Sequence, residues 1–359
     1  MSKITFFPLG CADTTLVELN DERSILVDYC HREDVFDLKG TLAEYLEKKG
    51  VKSFDVVAFT HAHQDHVQGL EDFFWLEYAK KYQADDRPKI RELWVPAVLV
   101  TDTNLSDSAT IIQKEAKYRL KNGTGIRVFG STETLEEWLV EAEVTTNVQR
   151  AGQLVNGFSK EKGGVEIFVH SPFSFKMNED EDEKNDNSIV LHMTFFESEC
   201  ETRFMIGADA EHGTWENIVY ITEREGNEKR LEWDIFGISH HCSFTALSDE
   251  KGERITKPTP SVEKLMLKGG RNAILVASCD SIPTMDTTLP PHFQAAAYYK
   301  DLAKAKGSKD NFFVTMEYPD LENPQPIVLD ISPYGAKVKA SSIAPAAFIT
   351  ATSTPQRFG

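Results

Sequence analysis

The chain is poor in cysteine, with five in 359 residues: Cys11, Cys30, Cys200, Cys242 and Cys279. The number is odd and no CxxC spacing occurs, which argues against a disulfide framework or a zinc knuckle. Reduced thiols in the core or beside a site are expected instead. Long apolar runs are missing too. No stretch approaches the ~18 residues that a membrane helix needs. Met1-Ser2-Lys3-Ile4-Thr5 has neither the apolar segment nor the small-residue cleavage site of a secretory signal. A cytoplasmic protein with no membrane partner is therefore the expectation. Basic residues are in short supply, 39 Lys and Arg against 57 Asp and Glu, for a net charge of −18. Such a surface repels nucleic acid on average, although bound cations can invert the field inside a single cleft. No internal repeat is visible.

What is present is globular in character: 41% hydrophobic and 10% aromatic residues, in a length that suits one large domain or two small ones. Ile4 to Phe7, Thr15 to Leu19 and Ser24 to Asp28 read as short strands. Leu38 to Lys49 has helical spacing and ends at Gly50. Phe54 to Thr60 and Glu92 to Val100 read as buried strands, and residues 69 to 82 have aromatic-rich helical spacing. Helices are predicted from Asp107 to Lys121 and from Glu133 to Glu143, and 101–150 reads as a helical insertion. Val165 to Val169, Ser188 to Phe196, Arg203 to Gly207, Asp234 to Ser239 and Ala273 to Ser278 are further strands. Phe293 to Lys306 is helical, and Phe312 to Glu317 with Ile327 to Ile331 could close a hairpin. Residues 177–187 form an acidic, solvated loop without EF-hand spacing, and 340–359 read as a flexible tail. Many short strands with helices between them suit an α/β (α+β) protein built as an αββα sandwich, with the main domain over 1–335.

The chemistry concentrates in Thr60-His61-Ala62-His63-Gln64-Asp65-His66-Val67-Gln68-Gly69, where four ligand-type side chains fall within six residues after a buried strand. Imidazole and carboxylate suit zinc, manganese or iron(II). In extended backbone His61 and His63 point the same way. Asp65 and His66 stand where the chain turns into a helix and can face a second position. One loop can thus feed two metal sites.

This HxHxDH pattern resembles the metallo-β-lactamase superfamily, and the rest of 1–335 resembles its branch of ComEC-type competence-protein hydrolase domains and their stand-alone relatives. Leu9-Gly10-Cys11-Ala12-Asp13, Ile25-Leu26-Val27-Asp28, Asn185-Asp186-Asn187-Ser188-Ile189-Val190-Leu191, Phe204-Met205-Ile206-Gly207-Ala208-Asp209, Asp234-Ile235-Phe236-Gly237-Ile238-Ser239-His240-His241-Cys242-Ser243 and Pro290-Pro291-His292 carry it in order. The resemblance implies that Asp209 bridges two metals. It implies that His240, with His241 as the alternative, completes the second site beside Asp65 and His66. For the third imidazole of the first site, His170 is the candidate, at a strand end between the signature and Asp209. Its other reading is a locally bonded strand-end histidine. His292 is a candidate proton donor to the leaving oxygen, or else a helix-start residue after two prolines. Cys242 stands where the branch has glycine.

Two divalent ions, Zn²⁺ first and Mn²⁺ or Fe²⁺ as alternatives, can share a bridging water that attacks a phosphorus or carbonyl centre, with Asp65 orienting it. The resemblance favours a phosphodiesterase or nuclease acting on nucleic acid or a nucleotide. Lys114, Lys117, Arg119, Lys121 and Arg127 form a basic stretch that suits phosphate tracking or simply a solvated face. Hydrolysis of a small ester, lactone or cyclic nucleotide is the first alternative. A metal-stabilised component with protein partners in a bacterial multi-gene system, including an antiviral one, is the second.

Overall fold

The computed structural model describes residues 1–146, 148–173 and 187–339. The acidic loop, its Asn185-Asp186 pair and the 340–359 tail lie outside the described residues.

In chain order the first half contains β1 (Ser2–Phe6), β2 (Thr15–Glu18), β3 (Ser24–Val27), α1 (Leu38–Lys49), β4 (Ser53–Ala58), α2 (Gln64–Val67), α3 (Leu70–Phe73), β5 (Lys89–Pro96), α4 (Ala97–Thr101), α5 (Asp107–Asn122), β6 (Ile126–Phe129), α6 (Glu133–Glu141) and β7 (Val148–Gln149). The second half contains β8 (Val165–Ser171), β9 (Val190–Glu197), β10 (Cys200–Ile206), α7 (His212–Arg224), β11 (Trp233–Ile238), α8 (Pro260–Leu267), β12 (Gly269–Ala277), α9 (Phe293–Lys306), β13 (Phe312–Val314), β14 (Ile327–Ser332) and β15 (Gly335–Val338). Among the described residues the strands form two sheets, in the orders β15-β14-β1-β2-β3-β4-β5-β6-β7 and β13-β12-β11-β10-β9-β8.

Three apolar cores define four layers. Ile4, Val17, Val56 and Trp94 of the first sheet meet Ile167, Leu191, Phe204 and Ile274 of the second in the central core. On the outer face of the first sheet, Leu26, Val57 and Leu93 pack with Leu42 of α1, Phe73 of α3 and Ile112 of α5. On the outer face of the second, Met205, Phe236 and Leu275 pack with Trp215 of α7, Leu265 of α8 and Tyr299 of α9. Strand alternation sends neighbours to opposite faces, and each fully buried large side chain contributes about 1.5–3 kcal/mol. The expected αββα sandwich is therefore what the chain builds. The predicted helix over Leu38–Lys49 is present. The Asp37 side chain accepts from Gly40 N at its start, and Gly50 ends it at φ 67°.

Four local expectations differ from the structure. Residues 69–82 form the single turn α3, extended chain at Phe74 and a short 3-10 turn at Lys80–Tyr82 instead of one helix, because Phe73, Phe74 and Leu76 are all buried and leave no polar face for a longer helix. The strand from Glu92 ends at Pro96, and α4 follows directly. The 101–150 segment is not only helical: β6 and β7 extend the first sheet in parallel. Phe312–Val314 and Ile327–Ser332 are not hairpin partners. β13 pairs with β12 in one sheet and β14 with β1 in the other, while the closing hairpin is β14 with β15.

The pairs β3-β4, β10-β11 and β11-β12 are parallel. The residues that follow β4 and β10 meet across the two sheets, His61 lying 3.4 Å from Asp209, so these carboxyl ends share one edge of the sandwich, where loops with chemistry commonly gather.

Candidate metal centre

The signature loop leaves β4 at Ala58. His63 is still extended, at φ −71° and ψ 152°, before the single turn of α2 begins. A residue outside the signature holds the loop. Asp28, at the end of β3 with φ 59°, accepts from Thr60 N and from the Thr60 hydroxyl, each at 2.7 Å. It also accepts from His66 Nδ1 at 2.8 Å. Having donated to Asp28, the Thr60 hydroxyl accepts from His61 Nδ1 at 3.1 Å. One carboxylate thus fixes two imidazoles through their Nδ1 sides and turns both Nε2 atoms the other way.

Asp209 stands where those atoms point. Its Oδ1 is 3.2 Å from His66 Nε2 and its Oδ2 is 3.4 Å from His61 Nε2. It follows β10 through Gly207, which must lack a side chain. A Cβ there would sit 2.1 Å from Ser239 Oγ and 2.8 Å from the Trp215 ring. After β11 the chain turns through three successive left-handed residues, His240 and His241 at φ 50° and Cys242 at φ 62°, a strained run for residues with a Cβ. This turn drives His241 inward. Its Nδ1 donates to Ser278 O at 2.8 Å. Its Nε2 lies 3.0 Å from Asp65 Oδ2 and 3.8 Å from Asp209 Oδ1.

Two ligand groups result. Asp13, His66, Asp209 and His241 have donor atoms within 4.8 Å of one another, as do His61, His63 and Asp65. Asp209 contacts both, one oxygen each. His61 Nε2, His66 Nε2 and Asp209 Oδ1 are buried without a hydrogen-bond partner. With Nδ1 protonated, each Nε2 lone pair faces a carboxylate oxygen, a repulsive arrangement unless a cation lies between them. At His66 and His241 a proton can take that place. Burial pushes His66 and His241 down, yet the Asp209 carboxylate and its acidic neighbours hold His66 well above its ordinary value and raise His241 to about 9. Against its own burial, Asp209 is held well below the carboxylate range by His66, His241 and His61. His63 is lowered to about 4 by burial and by His61. A neutral-imidazole and carboxylate donor set of this kind fits divalent zinc, manganese or iron.

Of the residues expected from sequence, the structure brings together His61, His63, Asp65, His66 and Asp209, but Asp65 groups with His61 and His63 and not, as expected, with His66. His240 is not in the cluster and His241 takes its place. The left-handed turn points His240 Nδ1 to Thr245 Oγ1 at 3.1 Å and Glu211 Oε1 at 3.2 Å. His170 is also outside it. Val165, Ile167 and Val169 face the central core, so His170 falls on the opposite face of β8. There its Nε2 donates to Arg230 O at 2.9 Å. His292 lies behind the turn, its Nδ1 accepting from Phe244 N at 3.3 Å, and supports the 240–244 backbone rather than joining the cluster. Cys242 is fully buried, and burial pushes its thiol up. Sequence reasoning did not assign roles to Asp13 and Asp28. The one signal for Asp28 is an acid closing the apolar run Ile25–Val27. Asp13 reaches the site through tertiary contact, its N–H donating to Asp65 O at 3.1 Å.

A cleft of about 690 Å³ opens beside Gln64 and Asp65 and is walled by Cys11, Cys30 and Arg32. The basic stretch is largely committed elsewhere. Arg119 is buried, paired with Glu115 at 2.7 Å and bonded to Ile90 O and Gly125 O. Arg127 pairs with Glu92 at 2.9 Å, and Lys117 and Lys121 lie over the Trp138 ring. Among the described residues no helix is long and apolar enough to cross a membrane.

Fold and site together define a four-layer αββα protein with a histidine–carboxylate candidate metal centre at the edge of its two sheets. No protein-family model and no curated protein sequence matches the chain. Among solved structures it is similar to the metallo-β-lactamase fold protein YhfI from Bacillus subtilis, at 12% identity over 92% of this chain and 100% of that one, with a TM-score of 0.42. A putative metal-dependent hydrolase from Parabacteroides distasonis matches at 13% identity over 87% and 93% of the two chains, TM-score 0.37. A diphosphatase from the PhnP family matches at 13% over 77% and 86%, TM-score 0.29. At these values the likeness carries no chemistry of its own.

Proposed function

We propose that this chain is a metal-dependent hydrolase of the metallo-β-lactamase superfamily, a dinuclear phosphodiesterase akin to the stand-alone ComEC-type branch. The observation that supports this most is Asp209, one oxygen toward each ligand group, facing buried Nε2 atoms that have no other partner. Two divalent ions bound there, zinc first and manganese or iron(II) as alternatives, would supply the Lewis acidity that activates water and steadies charge on oxygen. His61, His63 and Asp65 would hold one ion and Asp13, His66 and His241 the other, with Asp209 shared. Asp28 and Ser278 O keep the protons of His66 and His241 on Nδ1, so each offers a lone pair at Nε2. The Asp65 side chain is 35% exposed and borders the cleft. Among the ligand set it is the group placed to orient an incoming water or ester against the centre.

The test compares wild type with Asp65→Ala/His66→Ala. Bound metal is measured by inductively coupled plasma mass spectrometry. Cleavage of bis(p-nitrophenyl) phosphate, DNA and RNA is measured with added Zn²⁺ or Mn²⁺. Two ions per chain, with diester cleavage lost in the variant, is the expected result. Two ions without diester cleavage would redirect the reading to carboxylic esters or lactones. A wild-type chain that binds no ion would overturn it.

A further inference from the structure

The loop between β3 and α1 is tied to the scaffold of the candidate centre. Tyr29 N donates to His66 O and His31 N to Gln68 O, each at 3.0 Å. The chain then closes a tight turn in which Val35 N and Phe36 N both donate to Arg32 O, at 2.9 and 3.1 Å. Arg32 is therefore fixed at its backbone relative to the α2 loop. Its side chain crosses Gly10, where a Cβ would lie 3.0 Å from Nη1 and 2.7 Å from Asp280 Oδ1. Nη1 donates to Leu9 O at 3.4 Å. Among the described residues this long bond to a backbone carbonyl is the guanidinium's one hydrogen bond. Most of its N–H donors remain for a guest. Arg32 lines the same cleft as Asp65, and the other charged residues on that wall, Glu33, Asp34 and Asp72, are acids.

We propose that Arg32 anchors a second phosphate group of a small, nucleotide-sized organic phosphate whose scissile ester lies beside Asp65. This rests on the phosphodiesterase reading and narrows its substrate class. A guanidinium can fork a phosphate with two parallel charge-assisted bonds. The cleft volume falls within the roughly 300–1,000 Å³ of small-ligand pockets. The wall offers a single guanidinium between acids, so a ligand with two anionic groups finds one partner for each. A polymer carries further phosphates past Glu33, Asp34 and Asp72 and onto a surface of net charge −18, where each is repelled.

The experiment titrates adenosine 3′,5′-bisphosphate, adenosine 5′-monophosphate and a single-stranded DNA 20-mer into zinc-loaded protein by calorimetry. Wild type, Arg32→Gln and Arg32→Lys are compared, with melting curves confirming that each is folded. In wild type the bisphosphate is expected to bind at least about tenfold tighter than the monophosphate, and tighter than the 20-mer. In Arg32→Gln the two nucleotides bind alike, and Arg32→Lys keeps part of the difference. The proposal is overturned if wild type shows no preference, if Arg32→Gln keeps the full preference, or if the 20-mer binds tightest. An Arg32-dependent preference without cleavage of any diester sinks the phosphodiesterase reading and leaves the anchor standing. Diester cleavage with an Arg32-independent preference does the reverse.

Discussion

Two groups of buried histidines sit in this molecule, and they use opposite ring nitrogens. At the sheet edge, His66 and His241 donate from Nδ1, to Asp28 and to Ser278 O, and turn Nε2 toward acids. On the outer face of the second sheet, His170 and His192 donate from Nε2 to the backbone carbonyls of Arg230 and Glu232. Among the described residues no carboxylate is a cause of the shifts of that second pair. Burial lowers His170 to about 4, and burial with its histidine neighbour lowers His192 to about 3. The edge pair is raised by its acids instead. Burial alone therefore does not make a histidine a candidate ligand. What does so is a second residue that spends Nδ1 and leaves the Nε2 lone pair aimed at negative charge.

The comparison breaks most completely at Asp209. Asp209→Ala should leave at most one ion per chain and lower kcat/KM for a diester by about a thousandfold, read by metal analysis and steady-state kinetics. His170→Gln should alter neither.

Next in size is Gly207→Ala. Its Cβ has no room beside Ser239 Oγ and Trp215, and overpacking of this kind costs about 1–3 kcal/mol. Urea denaturation should report the loss. Weaker metal binding should accompany it, because Asp209 is two residues away.

The two groups also differ in the sign of their pH dependence. His170 and His192 have depressed folded values, so their stabilisation is present above about 6.5 and is lost as pH falls toward about 4. The loss is about 1.4 kcal/mol per pH unit per histidine. His241 has a raised value, so in metal-free protein its contribution is complete below about 6.5 and disappears as pH rises through about 9. Denaturation of chelator-treated protein from pH 5 to 9.5 should show both limbs. Zinc should remove the alkaline limb, because the ion replaces the protons, and His170→Gln/His192→Gln should flatten the acid one. An alkaline limb that zinc leaves unchanged would mean that His241 is not a ligand.

The smallest effect belongs to the basic helix. Lys117→Ala/Lys121→Ala should change stability by less than about 0.5 kcal/mol and diester cleavage by less than about twofold. A large loss of DNA binding in this variant would restore a nucleic-acid role to that face.

The signature loop was legible because its ligands are local. Alternation pairs His61 with His63, and the single turn of α2 brings Asp65 and His66 to the same edge; which group each joins was not legible, since Asp65 falls with His61 and His63 and only His66 with the second group. The same alternation, applied to Val165, Ile167 and Val169, places His170 outside the central core, a signal that strand-end position alone conceals. The layers were equally readable, since apolar residues repeat along each strand. The short hairpin β14–β15 and the assignment of β13 to the other sheet were not, because strand partners are chosen by non-local packing. Arg119 read as one cation in a surface stretch until Glu115 and two backbone carbonyls enclosed it.

By itself, then, the sequence determined the αββα layering and the donor types at one strand end, because both follow from short-range periodicity. Only the tertiary structure decided that His241 rather than His240 faces Asp209, through three left-handed residues that a neighbouring loop must hold in place. It alone added Asp13, Asp28 and Arg32, whose roles depend on strand ends that are distant in the chain and adjacent in space.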